Sequence, residues 1–218
     1  MWCIQTINTE YRKRMYNVLD IYEESYDPKN PFICIDEKPK QLLEDKRNPI
    51  PMKPGILEKY DYEYIRNGTA NIFMAVEFKA GKRMTQVTTN RTKKDFAQFV
   101  KAVLDKYLET KNIRLVMDNL NTHKEKAFVE TFGKEEAEKI LKKVEFHCTP
   151  KHASWLNAAE IEINVMDVEC TGRRVRDIKS LNTEVEAWTK RRNEQKKKIN
   201  WKFTSKMADQ KLSKHYVV

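Results

Sequence analysis

The sequence predicts an α/β fold, a mixed five-stranded sheet with helices on its faces, and three observations predict it. Three apolar runs bounded by turn chemistry read as buried strands: PFICID at 31–36, ANIFMAVEF at 70–78 and NIRLVMD at 112–118. A shorter run, RMTQVTT at 83–89, follows the turn around Gly81 and forms a hairpin with 70–78. Beyond the hairpin, strand and helix patterns alternate, an order that suits a mixed sheet covered by helices.

Taken in order, 31–36 is the first strand, and 37–69 carries Pro39, Pro49, Pro51, Pro54, Gly55 and Gly68, so it is expected as a long excursion rather than a packed element. After the hairpin, Phe96, Phe99, Val100, Val103, Leu104, Tyr107 and Leu108 fall at alternating steps of three and one, the stripe of an amphipathic helix. Thr92 with Asp95 three residues later gives that helix a capping-box-like start. The strand at 112–118 leads into a helical segment over about 124–142, broken near Gly133. VEFHC at 144–148 is the fifth strand, alternating Val144, Phe146 and Cys148 against Glu145 and His147. One further helix starts after Trp155, and a last one carries Ile178, Leu181, Val185 and Trp188 on one face. Arg191, Arg192 and Lys196 to Lys198 follow at its end, where cations suit the helix dipole.

The 218 residues suit one domain or a domain with a short appendage. With 40% hydrophobic and 34% charged residues, the chain can bury a core under a charged surface. No run approaches the roughly 20 apolar residues of a membrane span, and the first residues lack the basic-then-apolar order of a secretory signal, so a cytoplasmic protein is expected. Cys3, Cys34, Cys148 and Cys170 form no CxxC pair, which argues against a zinc or redox motif and for reduced thiols. The net charge of +10 is uneven: residues 171–218 hold 14 Lys+Arg and five Asp+Glu. An acidic partner, nucleic acid first, would be met mainly through that half; a solvated basic helix without a partner gives the same pattern.

Two apolar runs end on an aspartate, Asp36 after FICI and Asp118 after LVM. Carboxyl ends of strands are where ligand sites of α/β sheets gather. Either residue alone suits a turn or a helix cap. Together on neighbouring strands, they need a cation between them or a proton on one. A hard divalent ion such as Mg²⁺ answers that need with oxygen ligands and takes up phosphate oxygens. Asn119, Asn121, Thr122 and His123 make the stretch after Asp118 unusually polar. A third carboxylate lies in the helix after Pro150. Glu160 sits in its first turn and Glu162 about 200° further round, so both cannot face one site, and position alone favours Glu160 only slightly.

The phrases CIDEKP, YEYIRNGTANIFMAVE, GKRMTQVT, RTKKDFAQFV, LVMDNLNTH and TPKHASWLNAAEIEI, in that order, resemble the catalytic region of bacterial insertion-sequence transposases of the mariner-related type, the DDE superfamily endonucleases. The resemblance extends from near residue 1 to past Lys206. It implies a ribonuclease H-like fold and a triad, Asp36, Asp118 and Glu160, holding Mg²⁺ or Mn²⁺, with two ions expected. Glu160 answers to the acid of the family's Asn-x-x-Glu motif, here with Asn157, which selects it over Glu162. The implied division is 1–30 as a helical lead-in, 31–170 as the catalytic domain and 171–218 as a basic helix and tail packing on it.

The implied chemistry is phosphoryl transfer on DNA: cleavage at the element's ends, then attack of the freed 3′-hydroxyl on target DNA, by a homodimer working in the nucleoid. Asn119, His123 and Asn157 are expected to support the acids or touch phosphate. Lys38, Arg66, Lys151 and His152, with Arg191, Arg192, Lys196, Lys197 and Lys198 of the tail, are expected to meet DNA phosphates. Trp155 is expected to pack rather than stack on a base. The family's usual amino-terminal helix-turn-helix region is expected to be separate or missing, and 41 residues intervene between Asp118 and Glu160, somewhat more than is common. Two other readings share the acids: a structure-specific nuclease on the same fold, and a non-catalytic DNA-binding remnant of a transposase.

Overall fold

The computed structural model describes residues 6–110, 112–118 and 124–217. Five strands form one sheet in the order β3-β2-β1-β4-β5. They are β1 (Phe32–Asp45), β2 (Tyr64–Glu77), β3 (Lys82–Thr88), β4 (Ile113–Met117) and β5 (Val144–Cys148). β1, β2 and β3 run antiparallel, while β4 and β5 continue the sheet in parallel with β1.

Alternation along the strands divides the core. Cys34, Met74, Val76 and Val116 face a layer made by α1 (Thr9–Glu23), α5 (Ala158–Met166) and α6 (Ile178–Glu194), which contribute Tyr22, Ile163 and Trp188 among others. Ile33, Ile35, Phe73, Ala75 and Leu115 face the opposite layer of α2 (Lys93–Leu104), α3 (Lys124–Phe132) and α4 (Lys134–Lys142), where Phe73 stacks on Phe99 at 5.3 Å between ring centroids. α1 lies within the 1–30 segment and is part of this packed body. Its Met15 and Leu19 also meet Leu156 and residues of α7 (Ser205–Leu212).

Local chemistry sets the boundaries. The Thr92 and Asp95 pair forms the full reciprocal capping box of α2. The helix stops at Leu104, earlier than its apolar stripe predicts, and Leu108 is left exposed. Gly133, with φ of 79°, separates α3 from α4.

One expectation is corrected. The excursion over 37–69 is nearly half sheet, because β1 continues to Asp45 and β2 begins at Tyr64, leaving 46–63 as the connection. Beyond Ile35 β1 has no β4 residue beside it, and on such an edge a proline like Pro39 is tolerated. His147, on the face of β5 opposite Val144, Phe146 and Cys148, is buried, because α1 covers that face and Asn17 Oδ1 lies 2.7 Å from His147 Nδ1. Among the described residues no helix is long and apolar enough to cross a membrane.

Candidate active site

The parallel register of β1 and β4 pairs Ile35 with Met117, so Asp36 and Asp118 come next on adjacent strands. Cys34 and Val116 face the α5 layer, and a period of two puts Asp36 and Asp118 on that same face. Asp36 does not end its strand as expected; it lies within β1, opposite Met74 of β2, at the point where the pairing to β4 stops. Asp36 Oδ1 accepts from the Glu37 N–H at 2.8 Å.

Asp118 is held by a residue that sequence reasoning missed. The buried Thr149 donates its hydroxyl to Asp118 Oδ1 at 3.1 Å and its N–H to the Met117 carbonyl at 3.0 Å. The signal lay in the β4–β5 register, which pairs Met117 with Cys148 and so brings Thr149 level with Asp118.

The third acid arrives on α5. Asn157 caps this helix, its Oδ1 accepting from the Ala159 N–H at 3.1 Å, while its Nδ2 donates to the Ile35 carbonyl at 2.9 Å. The first turn of α5, which includes Glu160, is thereby hooked to β1 one residue before Asp36. Asn157 is fully buried and both ends of its amide are engaged inside the protein, so it supports the acids and is out of reach of a phosphate.

The electrostatics register the convergence. Burial raises the Asp36 carboxyl to about 7, and the charges of Asp118, Glu37 and Glu160 add to the rise, against the pull of the Glu37 N–H. Asp118 is also raised, by burial first and by Glu160, with the Thr149 hydroxyl opposing. Glu37, on the other face of β1, is raised by burial and by Asp118, while Arg91 at 3.5 Å opposes. Among the described residues, no three His, Cys, Asp or Glu side chains stand close enough to close on one ion. The donor set fits a hard cation: carboxylate oxygens whose mutual repulsion a divalent ion would relieve.

Glu162 points elsewhere on α5. It is buried against Arg83 and Arg192. Arg192, expected on DNA, is therefore engaged inside the protein, its side chain 15% exposed. Arg191, Lys196, Lys197 and Lys198 are exposed but stand away from the acids. Asn193 binds the Arg83 backbone through both ends of its amide, and the Lys196 backbone lies against Gly81 in the β2–β3 turn. That turn is at the end of the sheet opposite the carboxyl ends of β1 and β4.

Of the other candidates, Lys38 pairs with Asp167, just beyond α5. Arg66 is exposed on the outer part of β2, its guanidinium over the Tyr64 ring at 5.6 Å. Lys151 and His152 are exposed directly after Thr149 and Pro150, and His152 has φ of 61°. With Asn8, Tyr11 and Arg14 of the α1 start they line a pocket of about 330 Å³. Trp155 packs edge-on against Phe203. Asn119 and His123 lie outside the described residues.

Comparison with known proteins supplies the family. The Mos1 transposase paired-end complex with left transposon end has this fold, with a TM-score of 0.55 and 14% identity over 87% of this chain and 57% of that one. The Mos1 mariner paired end complex with Mn gives 0.55 and 14% over 89% and 62%, and the Mos1 Strand Transfer Complex gives 0.56 and 14% over 87% and 57%. This chain thus spans about three fifths of the transposase chains it resembles, and at that identity the likeness establishes the mixed α/β architecture. No curated protein matches the sequence. A family model described as DDE superfamily endonuclease matches residues 31–182, and on that match, which covers most of its length, the chain belongs to this family.

Proposed function

We propose that the chain is the catalytic domain of a mariner-related transposase, which cleaves DNA phosphodiesters and transfers strands using Asp36, Asp118 and Glu160. The carrying observation is that two adjacent parallel strands and a helix hooked to one of them by Asn157 direct three carboxylates into one another's field. The family match and the transposon-end and strand-transfer complexes among structures of the same fold support the reading.

In this proposal the three acids hold Mg²⁺ or Mn²⁺, two ions when substrate is present. Bound there, the metal would activate the attacking oxygen and neutralise charge on the leaving one. Thr149 fixes the Asp118 carboxylate through Oδ1, and the cap at Asn157 sets the first turn of α5 and hence Glu160. Lys151, His152 and Arg66 are exposed basic side chains, which in this proposal hold backbone phosphates without reading sequence. In this proposal the active unit is a homodimer working in the cytoplasm on nucleoid DNA.

Asp118→Asn tests the reading directly. The variant is expected to lose Mg²⁺-dependent cleavage of transposon-end DNA while keeping its fold, since asparagine can still accept from Thr149. Full cleavage activity in that variant would remove Asp118 from the mechanism. A non-catalytic remnant is separated by Mn²⁺ titration: a working site binds the ion and loses it in Asp36→Ala, whereas a remnant binds DNA and ignores the metal.

A further inference from the structure

We infer that Glu162, gripped by Arg83 and Arg192, is a positioning residue that fixes the rotation of α5 and so aims Glu160 at Asp36 and Asp118. The inference rests on the proposed role of Glu160 as a metal ligand.

Glu162 is completely buried, as is Arg83 of β3. Arg83 grips it as a fork, Nε to Oε1 at 2.9 Å and Nη2 to Oε2 at 3.0 Å, and Arg192 of α6 adds a third bond to Oε1 at 2.6 Å. Two guanidiniums face one carboxylate, and Arg83 Nη1 has no hydrogen-bond partner among the described residues.

Such a network is a poor device for stability. Removing ions from water costs several kcal/mol each, and apolar side chains of similar volume often serve as well or better. The other buried positions of α5, Ala158, Ala159, Ile163 and Met166, are indeed apolar. What the fork adds is direction, because a bidentate pair fixes the plane and azimuth of the carboxylate.

The direction matters through helix phase. Residues two apart differ by about 200°, so drawing Glu162 toward β3 and α6 turns Glu160 to the opposite side of α5, toward β1 and β4. A carboxylate about 5–6 Å from the helix axis moves about 2 Å for each 20° of rotation. Metal–ligand distances tolerate only about 0.2 Å. The anchor is itself held: Asn193 bonds both the N–H and the carbonyl of Arg83, and the Thr85 and Thr189 hydroxyls meet at 2.7 Å. Asn157, bonded to β1, is the second point of attachment, and two points suffice to define the rotation.

The test is Mn²⁺ affinity, measured by electron paramagnetic resonance titration well below the unfolding temperature, for wild type, Asp36→Asn, Glu162→Gln and Arg192→Lys. Glu162→Gln keeps the volume but turns an amide donor onto a guanidinium. Arg192→Lys keeps the charge at a partly exposed position and carries the test if the first variant fails to fold. A loss of affinity of about 10- to 100-fold is expected in folded variants, the usual effect of removing a ligand's support. Wild-type affinity in a folded Glu162→Gln or Arg192→Lys protein, alongside loss in Asp36→Asn, overturns the positioning role alone. Mn²⁺ binding indifferent to Asp36→Asn overturns the metal reading and this role with it.

Discussion

Replacing Asp36 by asparagine is expected to stabilise the metal-free protein, and only above acid pH. The Asp36 carboxyl stands at about 7 in the folded protein, against an ordinary value of 3.8. Between those values the native state keeps a proton that the unfolded chain has released, so stability falls as pH rises. The penalty is absent below pH 3.8 and complete above pH 7. A separation of about three pH units corresponds to about 4 kcal/mol, a ceiling because the neighbours can relax. For a chain of this size about 1 kcal/mol moves the melting temperature by about 2–4 °C. The asparagine carbonyl would still accept the Glu37 N–H, so the substitution removes charge and little else. Thermal unfolding followed by circular dichroism in EDTA, from about pH 4 to about pH 9, should show Asp36→Asn melting up to about 10 °C above wild type near pH 8 and level with it near pH 4. Adding Mn²⁺ should raise the wild type and leave the variant unmoved. A difference independent of pH, or a variant less stable than wild type at the alkaline end, would refute the account of a mutually repelling acid cluster.

Asn157→Ala removes a helix cap and the bond to Ile35; it should cost about 1–2 kcal/mol in urea unfolding and reduce cleavage beyond what the lost stability explains, whereas unchanged cleavage would show that the cap does not aim Glu160. Lys197→Ala with Lys198→Ala should lower the slope of log binding constant against log salt by about 2 if both meet phosphates, measured by fluorescence anisotropy on duplex DNA. An unchanged slope would return the tail to the class of solvated surface.

The fold was legible where burial is one-sided or complete. FICI, NIFMAVEF and IRLVM are apolar because both layers of helices press on them, and the stripe from Phe96 to Leu104 has the period of a helix on one side of a sheet. Legibility failed where a strand leaves the core. From Lys38 to Asp45 the side chains are mostly half-exposed and include a proline, so β1 there carries no apolar signature, yet it pairs with β2 over nearly its whole length. His147 shows the opposite case: the polar face of β5 is not wet, because α1, more than 120 residues earlier, covers it.

The candidate site divides along the same line. Asp36 and Asp118 could be read from position, because each follows an apolar run and parallel neighbours deliver equivalent residues to one edge. Thr149 could not, since its role depends on which strand lies beside β4. Glu160 and Glu162 of α5 are chemically identical and two residues apart, and helix period says only that they face apart. Their difference is decided by Arg83, 79 residues away from Glu162, which takes that glutamate into the interior and leaves Glu160 on the side of the aspartates. An arginine in a hairpin strand looks like surface charge until its partner is known, and Arg192 looked like a DNA contact for the same reason. The net charge of the 171–218 segment therefore overstates what it offers to DNA: one of its cations neutralises a buried acid, and the exposed cluster at Lys196 to Lys198 lies at the far end of the sheet from the acids. If phosphates are held beside the proposed triad, the basic side chains that do so are Lys151 and His152, and charge reversal there should depress cleavage more than the same reversal in the tail.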